Sequence, residues 1–297
     1  MATLRDISNR IVGVKSTAKI TQAMRMVSAA KLRRAQSGIE SARPYVLKLG
    51  EVLKNLVSVV GDDYSHPLIQ NRDSVKHIAM IVVASDRGLC GSFNANLVRT
   101  ATQYIDNDLK EQYPDAEVTV IPVGKRASGI LLKDDNYHTP KHYDGIFNDL
   151  NFAASQDILS SIVSGYIDGS IDKVIVFFNE FKNLINQIPK HITLLPIEHE
   201  AGDEAAEEKF NVDYIYEPDQ KEILDDLLPK HVDIQFWRTL LESNAAEHAA
   251  RMIAMENATN NAKDLIKHLQ LVFNKKRQEQ ITKEMLEIVS GAEALGN

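Results

Sequence analysis

The sequence predicts a mixed fold, part α/β and part α+β, in which two long terminal helices form an antiparallel coiled coil and a small α/β domain separates them along the chain. Apolar residues recur at three- and four-residue spacing at both ends. Short runs rich in Val and Ile alternate with helical patterns between those ends. We therefore expect three segments: residues 1–60, 61–215 and 216–297.

The N-terminal helix is predicted from a heptad register that starts at Leu4, in which fourteen of seventeen seam positions are apolar. The exceptions cluster at residues 21–28, where a 3.6-residue helix drifts against a 3.5-residue repeat. The side chains expected to carry the apolar stripe there, one position round the helix, are Ile20, Met24 and Val27.

The same helix carries start and interruption signals. Thr3 followed by Asp6 resembles a capping box. A continuous helix over residues 4–60 would measure about 85 Å. Pro44 should kink it or remove one hydrogen bond.

The C-terminal helix repeats this design from Leu241 to Phe273. The polar run 274–280 then interrupts the seam, which we expect to resume from Ile281 to Leu295 as a stutter in the supercoil. Neither terminal stripe is wide enough for a globular core, so the two helices are expected to pair with each other.

A proline and the central pattern set the remaining elements. Pro229 is expected to separate a short helix near residues 220–228 from the main C-terminal helix. The predicted strands are His77–Ala84, Val118–Val123, Lys173–Phe178 and His191–Ile197. The last two strands are expected to form a hairpin edge around Asn183 and Asn186. The predicted helices are Phe93–Tyr113 and Asp149–Ile167. This alternation favours a mostly parallel sheet covered by helices.

Charge and cysteine content exclude several functions. The net charge of −7 argues against general binding to nucleic acid or anionic membranes. That total conceals a basic N-terminal segment, residues 1–34, and an acidic loop, residues 198–208. No stretch approaches the ~20 apolar residues that span a bilayer. Cys90 is the single cysteine, which indicates a reducing, cytoplasmic compartment.

The turn after the first strand, Ser85–Ser92, is the one enzyme-like feature. It lacks the glycine spacing of dinucleotide sites and of P-loops, and Gly124 before Lys125 has no suitable upstream glycine either. The histidines show no metal-ligand spacing, so we expect neither cofactor nor metal. A nucleophilic Cys90 remains an alternative to a turn that simply packs a cysteine.

Four strings in the order of the chain resemble the γ-subunit family of rotary F-type ATP synthases. They are Ile20–Leu32 (ITQAMRMVSAAKL), Ser85–Asn94 (SDRGLCGSFN), Glu247–Met255 (EHAARMIAM) and Ile281–Ala292 (ITKEMLEIVSGA). The resemblance covers nearly the whole chain.

The resemblance implies a coiled coil with a Rossmann-like domain at its foot. It implies a rotor inside a ring of three α and three β subunits, with the ε subunit and the membrane c-ring bound at the foot. Rotation would link proton flow to ATP synthesis or hydrolysis at the partners, so this subunit would be non-catalytic. With Cys90 alone, the redox switch of the photosynthetic variant is excluded, which favours a bacterial rotor at the cytoplasmic face of the inner membrane. A mitochondrial rotor whose targeting peptide has been removed stays an alternative.

Contact residues follow from the resemblance by position. The implied contacts with the α and β subunits are Met24, Arg25, Asp86, Arg87, Gly88, Cys90, Arg251, Arg277, Gln278 and Thr282. The implied contacts of the foot are Tyr214, Tyr216 and Glu217. Two other hypotheses stay open: a Cys90-dependent α/β enzyme with a coiled-coil arm, and a coiled-coil scaffold without a motor.

Overall fold

The computed structural model describes residues 3–60, 64–72, 74–197, 216–217 and 219–295, with the backbone alone described at residues 54, 58 and 292–295. The chain divides into two compact units. The first contains residues 1–29 and 251–297, and the second contains residues 30–250.

The element order agrees with the predicted alternation. The helices are α1 (Leu4–Val60), α2 (Phe93–Tyr104) continued by a π-turn (Ile105–Leu109) and α3 (Lys110–Gln112), α4 (Lys125–Leu131), α5 (Phe152–Ile167) and α6 (Gln220–Leu295), with a 3₁₀ turn at Ile146–Asn148. The strands are β1 (His77–Val83), β2 (Glu117–Val123), β3 (Lys173–Phe181) and β4 (Gln187–Leu195). Helix α4 is an addition to the predicted set.

The second unit is built on one four-stranded sheet in the order β2-β1-β3-β4. Strand β1 pairs in parallel with β2 and β3, and β4 pairs with β3 in an antiparallel hairpin. The predicted parallel sheet with a hairpin edge is therefore confirmed. Strand β4 starts at Gln187 rather than at the predicted His191. The sequence pattern missed its first half because that half is largely exposed and lacks the apolar run that marks a buried strand.

Both faces of the sheet are covered. Ile81 and Val83 lie in a core that includes side chains of α5, of the C-terminal part of α1 and of the first turns of α6. Met80 and Val82 face a second core with α2 and α4. Burial on both faces explains the uninterrupted apolar sequence of β1.

Helix α6 continues through Pro229, so the predicted break there is wrong. Proline in a helix interior costs roughly 3 kcal/mol through a lost hydrogen bond and a steric clash. Leu224, Leu228 and Val232 on the same helix are buried in the core of the second unit. The burial of these flanking turns offsets the local cost of the proline. Helix α1 likewise runs through Pro44.

The seam of the first unit follows the heptad positions even where they are polar. Thr21 and Ser28 are buried, whereas Ile20 is 60% and Val27 58% exposed. The expectation that the stripe moves round the helix at residues 21–28 is therefore wrong. The physical reason is that the polar group at Thr21 is satisfied across the seam: its hydroxyl lies 2.7 Å from the hydroxyl of Thr259.

The threonine pair yields a stability prediction. The Thr259 hydroxyl donates to the carbonyl of Met255, so it offers its lone pairs to Thr21. Replacing Thr259 alone with Val removes the bond across the seam but leaves the Thr21 hydroxyl 3.1 Å from the carbonyl of Ala18, so we expect a loss of about 0.5–1.5 kcal/mol in the free energy of unfolding. Replacing both threonines with Val removes that same bond and leaves no hydroxyl in the seam, so the double variant should lose no more stability than either single variant.

The control for this cycle is Thr17→Val. The Thr17 hydroxyl donates to the carbonyl of Gly13 on an exposed face of the same helix, so its loss should change stability by less than about 0.5 kcal/mol. Additive losses from Thr21→Val and Thr259→Val would contradict the buried pair.

The seam does not resume against α1 after residue 280. The pairing of Thr21 with Thr259 and of Arg25 with Glu256 is antiparallel, and it places the start of α1 opposite about residue 276 of α6. Ile281, Met285 and Ile288 are accordingly exposed, Ile288 by 71%. The apolar repeat predicted after residue 280 exists in the sequence, but helix α1 begins at Leu4 and does not extend far enough to cover it.

The helix start was predicted correctly. The amide of Thr3 donates to the Asp6 carboxylate at 2.9 Å, and the amide of Asp6 donates to the Thr3 hydroxyl at 3.2 Å. These bonds lower the pKa of the Asp6 carboxyl. Across the part of the chain that the structure describes, no helix is both long and apolar enough to cross a bilayer.

Candidate partner-contact surfaces

The Ser85–Ser92 turn joins the carboxyl end of β1 to helix α2 and is held from inside. The amide of Ser85 donates to the Asn94 side-chain oxygen at 3.0 Å, and the Ser85 hydroxyl donates to the carbonyl of Arg87 at 2.6 Å. Ser85 and Asn94 are both buried. The turn is therefore a fixed feature of the sheet edge.

Asp86 faces the protein interior of this turn. Its carboxylate accepts hydrogen bonds from the backbone amides of Lys125 at 2.9 Å, Gly145 at 2.7 Å and Phe147 at 2.9 Å. These amides belong to the start of α4 and to the loop before α5. The carboxylate therefore fastens three segments together, a function that sequence reasoning missed because the donors are distant in the chain.

Two glycines allow the chain to approach itself closely around Asp86. Gly124 has φ +97°, and a Cβ built there would lie 2.1 Å from the carbonyl oxygen of Ala84. Only glycine fits that position. A Cβ on Gly88 would meet the guanidinium of Arg126 at 2.8 Å, so the Arg126 side chain lies against the turn. A glycine directly after a predicted strand is the sequence signal that could have identified Gly124.

Cys90 is a packed residue of this turn. It is 3% exposed and lies in an apolar cluster with Phe93 and Ala246. The Asn94 amide donates to its sulfur at 3.2 Å, and the Ser85 hydroxyl lies 4.0 Å away. Neither neighbour is a general base, and burial keeps a substrate away from the thiol. The arrangement gives no support to nucleophilic catalysis.

The implied contacts on α1 lie in the first unit. Met24 is half-buried, and the Arg25 guanidinium is 3.5 Å from the Glu256 carboxylate. Both charged side chains are more than 40% exposed, so this ion pair contributes between zero and about 1 kcal/mol. An acidic partner could replace Glu256 at little cost.

The implied contacts on α6 divide by burial. Arg251 is buried, whereas Arg277, Gln278 and Thr282 are exposed. At 1.5 Å per residue, Arg251 and Arg277 lie about 39 Å apart along the helix axis. The predicted residues of α6 therefore do not form one continuous surface, whereas Asp86, Arg87, Gly88 and Cys90 share one turn.

The foot residues are described in part. Tyr214 lies outside the described residues. Tyr216 packs against the core that contains the first turns of α6, and Glu217 is exposed. The side chain of Glu217 is therefore exposed to solvent, whereas that of Tyr216 is partly buried against the core.

A titratable cluster lies close to this part of the core. The hydroxyl of Tyr64 donates to the Asp225 carboxylate at 2.6 Å, and the Tyr64 ring stacks on His66. Burial, followed by the hydrogen bond and the charge of Asp225, raises the pKa of Tyr64 above its usual value. Burial lowers the pKa of His66, and the Asp225 charge opposes that effect. Both groups are therefore neutral near pH 7.

The sequence matches known proteins along its whole length. The family model described as ATP synthase matches residues 3–295. The ATP synthase gamma chain of Chlorobium phaeobacteroides is 45% identical over 295 residues, which cover 99% of both chains. The gamma chain of Chloroherpeton thalassium is 46% identical over 302 residues, again covering 99% of both.

Solved structures share the fold at lower identity. A chain from the Euglena gracilis mitochondrial ATP synthase (OSCP/F1/c-ring, rotational state 3) superposes with a TM-score of 0.68 and 21% identity, covering 98% of this chain and 94% of that one. A chain from the central stalk and c-ring of the Tetrahymena thermophila mitochondrial ATP synthase gives a TM-score of 0.60 at 25% identity, covering 80% and 99%. On the full-length sequence matches, the chain belongs to the ATP synthase gamma-chain family.

Proposed function

We propose that the chain is the central rotor shaft of an F-type ATP synthase. In this function the paired helices turn inside a ring of α and β subunits, and the foot is fixed to the membrane c-ring and the ε subunit. Proton flow turns the shaft, and the shaft changes the conformations of catalytic sites that belong to its partners. The chain itself is non-catalytic.

The observation that carries the proposal is an antiparallel helix pair whose longer member extends past the end of its partner. The Thr21–Thr259 and Arg25–Glu256 pairs set the register, and about twenty residues of α6 lie beyond it. A single exposed helix end with a periodic apolar stripe suits insertion into a sleeve formed by other chains. Full-length membership of the gamma-chain family supports the same assignment.

The proposed rotor contacts are those implied by the sequence, except that Arg251 is assigned a packing function. Met24 and Arg25 are proposed to face acidic loops of the β subunits, and Arg277, Gln278 and Thr282 to meet the ring higher on the shaft. The exposure of the last three supports that assignment. The burial of Arg251 favours a packing function for that residue.

The contacts of the turn and of the foot differ in exposure. Arg87 is the exposed member of the turn set, whereas the carboxylate of Asp86 is used internally and Cys90 is buried. The foot contacts proposed for the c-ring are Tyr214, Tyr216 and Glu217. The chain would then be a peripheral protein at the cytoplasmic face of the bacterial inner membrane.

Single-molecule rotation tests this function. Cys90 is buried, so a cysteine introduced at the exposed Lys133 gives one reactive site for a bead. The labelled chain is assembled with purified α and β subunits that are fixed to a surface. We expect the bead to rotate in steps when ATP is supplied and to stop when ATP is replaced by a non-hydrolysable analogue.

Two outcomes would reject the proposal. An α/β ring that hydrolyses ATP around a stationary bead would leave the chain as a scaffold without a motor. An activity of the isolated chain that alkylation of Cys90 abolishes would favour the thiol enzyme instead. Co-purification with the ring and the c-ring from native membranes is the complementary test of partners.

A further inference from the structure

A histidine in the loop between α1 and β1 accepts a hydrogen bond from the backbone. The amide of Leu68 donates to Nδ1 of His66 at 3.2 Å. An imidazole nitrogen that accepts a hydrogen bond carries no proton, so His66 is neutral and holds its single proton on Nε2. Protonation of Nδ1 would turn this acceptor into a donor and would release the Leu68 amide.

Leu68 joins this loop to two distant parts of the second unit. Its side chain is fully buried, in the cluster that contains Leu224 and Leu228 of α6. Its carbonyl accepts from the amide of Ile197, two residues after the end of β4, at 2.8 Å. The bond to His66 therefore helps to hold a residue that ties the base of α6 to the segment after β4.

The His66 ring is also linked to α6 through Tyr64. The two rings are nearly parallel, at an interplanar angle of 15° with centroids 6.3 Å apart. The Tyr64 hydroxyl donates to the Asp225 carboxylate on α6 at 2.6 Å. Among the described residues, Asp225 is the charged group that acts on His66. An imidazolium would be attracted to Asp225, whereas a neutral imidazole leaves that carboxylate to Tyr64.

We propose that residues 64–70 form a pH-sensitive latch, which is closed while His66 is neutral and opens when its imidazole is protonated. In the closed state His66 holds the Leu68 amide and Tyr64 holds Asp225. In the open state the imidazolium pairs with Asp225, and the Leu68 amide loses its acceptor. The inference goes beyond the proposed function and does not depend on it, because every contact of the latch lies within the second unit.

The direction of the pH effect follows from these two states. Burial lowers the pKa of His66 in the closed latch, and the charge of Asp225 opposes that effect. Opening removes the burial and returns the pKa toward the ordinary histidine value of about 6.5. The open latch therefore binds a proton more readily than the closed one. Acidification below the ordinary value favours opening, and a higher pH favours closure.

Hydrogen exchange of the full chain measures the latch. Protection is the exchange rate of an unfolded chain divided by that of the protein at the same pH, which removes the intrinsic pH dependence of exchange. We expect the protection of residues 64–70 to fall by about fivefold between roughly pH 7.5 and pH 5.5, while that of β1 stays constant. Nitrogen NMR should show the Nε2–H tautomer of His66 near neutral pH.

His66→Asn separates titration from folding. Asparagine places an oxygen where His66 has Nδ1 and does not titrate, so protection should stay high at both pH values. His66→Phe keeps an aromatic ring without an acceptor, so protection should be low at both. Asp225→Asn removes the attracting charge and should move opening to lower pH. The matched control is His142→Asn, which replaces an exposed histidine of the same unit and should behave as wild type.

The same measurements can overturn the latch. Constant protection of the wild-type loop across this pH range, or an unchanged pH response in His66→Asn, would show that His66 is not the sensor. An equal loss of protection in β1 would mean that acid destabilises the whole second unit. A proton on Nδ1 of His66 near neutral pH would remove the acceptor on which the proposal rests.

Discussion

Truncation after Val272 is expected to lower coupled ATP synthesis strongly while most of the chain remains folded. The removed residues include the exposed end of α6, which lies beyond the start of α1. Removing the exposed residues after Lys276 should change the free energy of unfolding by less than about 1 kcal/mol, and the loss of the half-buried Phe273 adds to that cost. Loss of the contacts proposed for Arg277, Gln278 and Thr282 should lower coupled synthesis by more than about tenfold, equivalent to ~1.4 kcal/mol of interaction.

Reconstituted vesicles provide the measurement. Proton-driven ATP synthesis and ATP-driven proton uptake are compared for wild type, the truncation after Val272 and a control truncation after Gly291, which keeps all three proposed contacts. A third variant ending at Lys276 retains Phe273, which is half-buried, and separates packing from contact. Normal coupling in the Val272 truncation would remove the function assigned to the end of the shaft.

The periodicity of the seam was predictable, but the identity of its buried polar residues was not. Heptad spacing identified the positions that are buried, including Thr21 and Ser28. We expected the apolar neighbours to replace them, because a hydroxyl costs free energy to bury without a partner. That partner is Thr259, on a helix more than two hundred residues away in sequence. A single-helix pattern contains no information about it.

The turn shows the same limit at the candidate site. The sequence correctly placed this turn between β1 and α2, but it did not reveal that Asp86 points inward or that Leu89 has a positive φ. The orientation of Asp86 depends on segments that the fold brings to the turn, namely the start of α4 and the loop before α5. Pro229 is the converse case, in which a valid local rule is overcome by burial of the helix around it.

Replacing Asp86 with Ala is expected to destabilise the second unit by about 3 kcal/mol. Hydrogen bonds to a charged acceptor contribute roughly 1.5–3 kcal/mol each, and water can satisfy part of the loss because the residue is only half-buried. Asp86→Asn keeps the shape but turns an NH₂ group toward backbone donors, so it should recover less than half of the loss. Urea unfolding monitored by circular dichroism measures both variants.

The matched control is Asp135→Ala, which removes an exposed carboxylate from the same unit and should shift stability by less than about 0.5 kcal/mol. The comparison also decides what Asp86 does in the assembled machine. If Asp86 only holds the turn together, its replacement lowers the folding stability directly and the ring affinity indirectly, through a loosened turn. Asp86→Ala should then reduce both stability and affinity more than Asp86→Asn does. Lost ring affinity with unchanged folding stability would instead mean that Asp86 contacts the α/β ring directly. The three amide hydrogen bonds to its carboxylate would then contribute nothing to the stability of the fold.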